Sequence, residues 1–99
     1  MKYAILLSTA AEKEIEESFN WYEDRLGGLG ARFMAYIERS IGHIAANPEA
    51  YPNKKGKYRE IPVEKFPYLI IYEVRKQQKI VYILHIFNTH RNPRLKYKK

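Results

Sequence analysis

The chain has 99 residues, 45% of them apolar, no cysteine and a net charge of +7. That length supports one domain with a single two-layer core, and without cysteine neither a disulfide framework nor a thiolate metal site is available. The charge is uneven: residues 1–50 carry five Lys and Arg against eight Asp and Glu, a net −3, whereas residues 51–99 carry thirteen against three, a net +10, so the second half should face a polyanion or an acidic protein.

Tyr3 to Leu7 is short, apolar and bounded by Ser8 and Thr9, which predicts a strand. Its apolar run, Ala4 to Leu7, is far too short for a signal-peptide core or a membrane span, so a cytoplasmic protein is expected. Thr9 with Glu12 three residues on reads as a capping box opening a helix. Ala11, Ile15, Phe19, Tyr22 and Leu26 then form one apolar stripe to about Leu26, where Gly27 and Gly28 stop it. A second stripe, Leu29, Phe33, Ile37, Ile41 and Ile44, ends at Asn47 and Pro48. The turn between the two is so short that the helices must pack as an antiparallel hairpin.

Glu49 to Lys57 reads as a polar basic loop. Tyr58 to Val63 follows as a strand, placed at a sheet edge by Pro62, which cannot donate to a ladder. Tyr68 to Arg75 and Lys79 to Asn88 are strong strand patterns joined by Lys76, Gln77 and Gln78. In the last strand Ile80, Tyr82, Leu84 and Ile86 alternate with Val81, Ile83, His85 and Phe87, so both faces are apolar and the strand is central. The order β-α-α-β-β-β predicts an α+β fold over residues 1–99: a helical hairpin on one face of a mostly antiparallel four-stranded sheet, with a basic segment at about 91–99. One helical layer covers one face, which leaves Val81, Ile83 and Phe87 to a partner protein.

The element order, the hairpin "FNWYEDRLGGLGARF", the strand "FPYLIIYEV" and the closing "LHIFNTHRNP" together resemble the RelE/ParE superfamily, the toxins of type II toxin–antitoxin systems, over essentially the whole length. The resemblance implies a growth-inhibiting toxin silenced by a cognate antitoxin, which would wrap the face carrying Val81, Ile83 and Phe87. Members resembling RelE cut mRNA on the ribosome and members resembling ParE poison DNA gyrase; neither activity implies a cofactor. A small basic RNA-binding domain without toxicity is the third reading.

Metal-independent RNA cleavage needs a base, an acid and cations to hold the phosphorane charge. By resemblance to the nuclease members, Lys54, Lys55 and Lys57 would hold RNA, Arg59 would steady the phosphate, and His90 or Tyr97 would move a proton. Arg91 adjoins His90 where the strand ends, and Arg94 extends the basic patch, which is expected to bring His90 and Arg91 beside the Lys54 to Arg59 loop. Each residue also has a plainer reading. The lysines suit a solvated surface, Arg59 shares parity with Ile61 and Val63 and could pack over the core edge, and Tyr97 acts only if its segment docks. His85 reads as packed and hydrogen-bonded, His43 as helix surface, and Trp21 as hairpin core. Leu69 stands where nuclease members often carry an Arg, and a Leu makes no phosphate contact. Three scattered histidines make no metal site.

Overall fold

A computed structural model describes residues 2–99. In chain order it has β1 (Ala4–Leu7), α1 (Thr9–Arg25), α2 (Leu29–Ala46), β2 (Asn53–Lys55), β3 (Tyr58–Pro62), β4 (Tyr68–Arg75) and β5 (Ile80–Asn88), with 3-10 turns at Pro48–Ala50 and Pro93–Leu95. The strands form one sheet in the order β1-β5-β4-β3-β2. The helical hairpin carries the chain from β1 at one edge to β2 at the other; β1 runs parallel to β5, and the other neighbours are antiparallel. No helix among the described residues is long and apolar enough to cross a membrane.

The sheet has five strands where the sequence predicts four. The extra one, β2, lies inside the expected basic loop and pairs Asn53 with Arg59 and Lys55 with Tyr58. Gly56 makes the reversal with φ 56°, a left-handed backbone that costs glycine little, and Asn53 Nδ2 donates to its carbonyl at 2.8 Å. All three β2 residues are exposed, so no apolar alternation marks the strand. Pro62 sits past the end of β2. Because Val63 donates to Tyr68 O at 2.9 Å, the Pro62 nitrogen points away from β4 to the side that β2 leaves free.

The first helix opens one residue earlier than the capping box predicts. Ser8, not Thr9, is the N-cap: its N–H makes the last rung to Ile83 O (2.9 Å), and its Oγ accepts from Ala11 N (2.9 Å) while donating to Leu84 O (2.6 Å). The strand ladder ends at that residue, so the chain turns there. At the hairpin, Gly28 has φ 92°, and the Glu23 carboxylate accepts from the N–H groups of Gly28 (2.9 Å) and Gly30 (2.8 Å), capping α2 in place of an N-cap side chain. Phe33, Ile37 and Ile44 of α2 are fully buried against Ile70, Tyr72, Val81, Ile83 and Ile86.

The two faces of β5 differ from strict alternation. Ile71 pairs with His85 but Tyr72 pairs with Ile83, so Leu84 is an extra residue in a bulge. One extra residue changes parity. Val81, Ile83 and Ile86 therefore all join the core under the helices, while Leu84 and Phe87 join Tyr58 and Ile71 in a second cluster on the opposite face. This corrects the expected partner-binding trio: Val81 and Ile83 are 0% exposed beneath the helices, and Phe87, on the far face, is 1% exposed. The far face is covered by the chain itself, since Leu95 and Tyr97 pack on the second cluster.

Candidate functional site

The far face of the sheet gathers Lys55 and Lys57 of the cations that the sequence singles out, together with the lysines of the closing segment. Residues 93–99 turn back from the end of β5 across this face, so that Tyr97 stacks on Tyr58 with ring centres 5.6 Å apart. Its hydroxyl donates to Glu60, whose other oxygen lies 3.4 Å from Lys96 Nζ. Lys55 Nζ lies 5.5 Å from the centre of the Tyr97 ring and Lys57 Nζ 5.6 Å from that of Tyr58. Further along, a cavity of about 380 Å³ is lined by Ser8, Thr9, Lys57, Tyr58, Glu73, Arg75, Tyr82, Leu84, Lys98 and Lys99. On its wall the nearly buried Glu73 carboxylate meets Lys57 at 3.4 Å and Arg75 at 3.1 Å. Arg75 in turn lies over Tyr82, 4.6 Å from its centre.

Of the sequence-predicted residues, Lys55, Lys57 and Tyr97 come together here, and Lys54 is exposed on adjacent β2. Burial, with the Glu60 contact second, pushes the Tyr97 phenol up to about 12, so it holds its proton. Glu60 and Glu73 were not singled out from the sequence. Their signal is a carboxylate inside a strand rich in apolar residues, where a buried charge must find partners.

The remaining candidates lie elsewhere. Arg59 faces the helix side with its register partner Tyr72, and its guanidinium donates to Tyr51 O and, at 3.4 Å, to Glu49 O. It is thus committed to the carbonyls of the turn before β2, a turn also held by Tyr72 Oη donating to Pro48 O at 2.8 Å. His90 and Arg91 follow Asn88, which pairs with Tyr68 at the start of β4, whereas Lys55 and Tyr58 sit level with Glu73. Five residues of β4 separate the two, roughly 17 Å of strand. The expected meeting of His90 and Arg91 with the Lys54 to Arg59 loop therefore does not occur, because antiparallel pairing sends the two segments to opposite ends of β4.

At its own end, exposed His90 donates its backbone N–H to Asn88 Oδ1 (2.8 Å) and borders a groove of about 450 Å³ with Glu17, Ser18, Trp21, Tyr22, Pro67, Tyr68 and Asn88. Arg91 pairs with Glu14 at 3.1 Å and lies over Phe87. Arg94 is exposed in the 3-10 turn, where Asn92 Oδ1 accepts its N–H at 3.0 Å. His85 is buried and bonded through both ring nitrogens, as its alternation with apolar residues predicts. Trp21, expected in the hairpin core, is instead 51% exposed under the Arg25 guanidinium at 3.5 Å, and Leu26 at the hairpin tip is 64% exposed.

A helical hairpin crossing over a mixed five-stranded sheet, with cations and tyrosines on the far face, is the RelE/ParE-like fold. Solved structures share it: a chromosomal ParDE toxin–antitoxin system from P. aeruginosa (TM-score 0.74, 16% identity, 88% of this chain and 96% of that one), the isolated E. coli RelE toxin (0.67, 17%, 92% and 88%), and the intact E. coli RelBE toxin–antitoxin complex (0.69, 16%, 90% and 99%). No curated protein sequence matches the chain. Residues 5–93 match the family described as "ParE toxin of type II toxin-antitoxin system, parDE". The chain belongs to that family and is the toxin component of such a system.

Proposed function

We propose that this toxin acts in the cytoplasm by binding its target, DNA gyrase, rather than by cutting mRNA on the ribosome, and that a cognate antitoxin silences it. The observation that carries this reading is dispersal. Cleavage by the 2′-hydroxyl needs a base, an acid and phosphate-holding cations within hydrogen-bond reach of one phosphate, about 3 Å. Here the exposed imidazole of His90 lies a strand length from Lys54, Lys55 and Lys57, Arg59 is occupied by backbone carbonyls, and Tyr97 keeps its proton to about 12. Binding needs no such convergence. Exposed Trp21 and Leu26 on the hairpin offer the aromatic and aliphatic anchors that protein targets engage.

The antitoxin reading rests on the charge of +10 over residues 51–99, which an acidic segment complements, and on the toxin–antitoxin complexes among the solved structures of this fold.

Expression without the antitoxin tests both halves. Gyrase supercoiling should be lost while primer extension shows intact mRNA. His90→Gln should remain toxic, and Trp21→Ala should lower toxicity at least about tenfold, as loss of a central anchor does. Cleaved mRNA with unimpaired supercoiling would return the assignment to the Lys55, Lys57, Tyr58 and Tyr97 cluster and a ribosomal nuclease.

A further inference from the structure

Residues 93–99 are tied to the sheet at two points. One is Glu60, which takes the Tyr97 hydroxyl and Lys96. The other is His85, only 7% exposed, whose Nδ1 lies 3.0 Å from Glu14 Oε2 and whose Nε2 lies 2.6 Å from the carbonyl oxygen of Lys98. An ionised carboxylate and a carbonyl oxygen can only accept, so each ring nitrogen must bring a hydrogen. A neutral imidazole has one N–H, and only the imidazolium has two. Both bonds therefore form together only on a protonated ring.

We propose that His85 is a proton-operated latch for the last two residues of this segment: the protonated ring ties Lys98 to α1 and β5, and loss of the proton frees Lys98 and Lys99, while Glu60 keeps Lys96 and Tyr97 docked over Tyr58. The charged surroundings set the direction. From α1, Glu14 faces the ring and favours its charge; it also accepts from Arg91 Nη1 (3.1 Å) and from the N–H of Ile86 (2.9 Å), which fixes its place at the edge of β5. Arg91 after β5, and Lys98 and Lys99 on the segment itself, oppose a further positive charge. Across β4 the register neighbour is Ile71, and at the end of β1 Ser8 is engaged with Leu84 O; neither carries charge.

When the ring loses one proton, Nδ1 keeps its hydrogen because the carboxylate is the stronger acceptor. The Nε2 lone pair then faces the Lys98 carbonyl, so that contact opens while the helix contact persists. With Lys98 docked the ring binds a proton that it holds less well once Lys98 is released. Docking is therefore favoured at low pH and weakens as pH rises through the titration of the ring, by up to about tenfold per pH unit for one linked proton.

NMR on the full chain tests this between about pH 5.5 and about pH 8, the interval in which histidines change charge. Imidazole ¹⁵N shifts should show His85 doubly protonated wherever the Lys98 carbonyl is docked on it. The protection of the Lys98 amide, bonded to Leu95 O, should fall with rising pH by up to about tenfold per unit, with that of the β5 amides unchanged. The transition should survive His43→Gln and His90→Gln, both exposed sites, and vanish in His85→Gln, whose single amide donor group cannot bridge two acceptors on opposite sides. A neutral His85 tautomer in the docked chain, or a pH transition that persists in His85→Gln, would overturn the proposal. Should His85→Gln fail to fold, the ¹⁵N shifts of the unsubstituted chain decide it.

Discussion

Ser8 joins three elements through one residue: its N–H ends the β1–β5 ladder, and its hydroxyl both caps α1 and satisfies the carbonyl of Leu84 at the β5 bulge. Ser8→Ala removes the cap and leaves a buried carbonyl unpaired, so it should destabilise the fold by about 1–3 kcal/mol, measured by urea unfolding. Glu23 does the corresponding work for α2 from the surface. The N–H of Gly28 is the main cause that holds its carboxyl below the usual carboxylate range, with Gly30 adding to it. A depressed carboxyl stabilises the fold above its unfolded pKa, and that contribution disappears as pH falls through the folded value. Glu23→Gln should therefore flatten the acid limb of stability against pH, seen as a smaller loss of Tm on acidification than in the unsubstituted chain.

At the scale of elements, the hairpin depends on one close approach. A Cβ at Gly30 would lie 2.7 Å from Phe19 O and 2.8 Å from Glu23 Oε1. The Glu23 side chain can move, but the backbone carbonyl cannot unless the helices part. Parting them disturbs the Tyr22–Phe33 contact, 5.3 Å between ring centres, and the packing of both rings on Phe66. Gly30→Ala should cost about 1–3 kcal/mol, as overpacking does, in a denaturant titration. The stripes on α1 and α2 and the hairpin they form are legible in the sequence because a helix face repeats within a few residues. β2 is not, because an all-exposed strand has no apolar side to mark it.

For the whole molecule, three of the nine tyrosines join its parts and share one electrostatic consequence. Burial raises Tyr22, Tyr72 and Tyr97 to about 12, with Tyr68 adding to the first and Glu60 to the last, while Arg59 works against the rise at Tyr72. Groups whose folded pKa lies above the unfolded value stabilise fully below about 10, and that stability is lost as pH climbs toward about 12. Ultraviolet titration should show phenolate absorbance from these three only near pH 12, in step with loss of far-ultraviolet circular dichroism. Their ionisation near pH 10 in a chain with native circular dichroism would contradict the packing described.

The sequence by itself determined the helical hairpin, the three longer strands, the central place of the last one and the basic second half, because each is written in local periodicity or in composition. It also held the family resemblance. What only the tertiary structure decided are the features that depend on pairing and return of the chain. A single bulged residue at Leu84 moved Val81 and Ile83 beneath the helices, since strand parity is a property of register and not of alternation alone. Antiparallel pairing set His90 and Arg91 a strand length from the lysines of β2, although all belong to the same basic half. The closing segment, mostly polar and without periodicity, docks through Leu95, Tyr97 and the Lys98 carbonyl, because the far face of the sheet presents an apolar floor, an acceptor at Glu60 and a ring nitrogen at His85 that become neighbours only once the chain has folded.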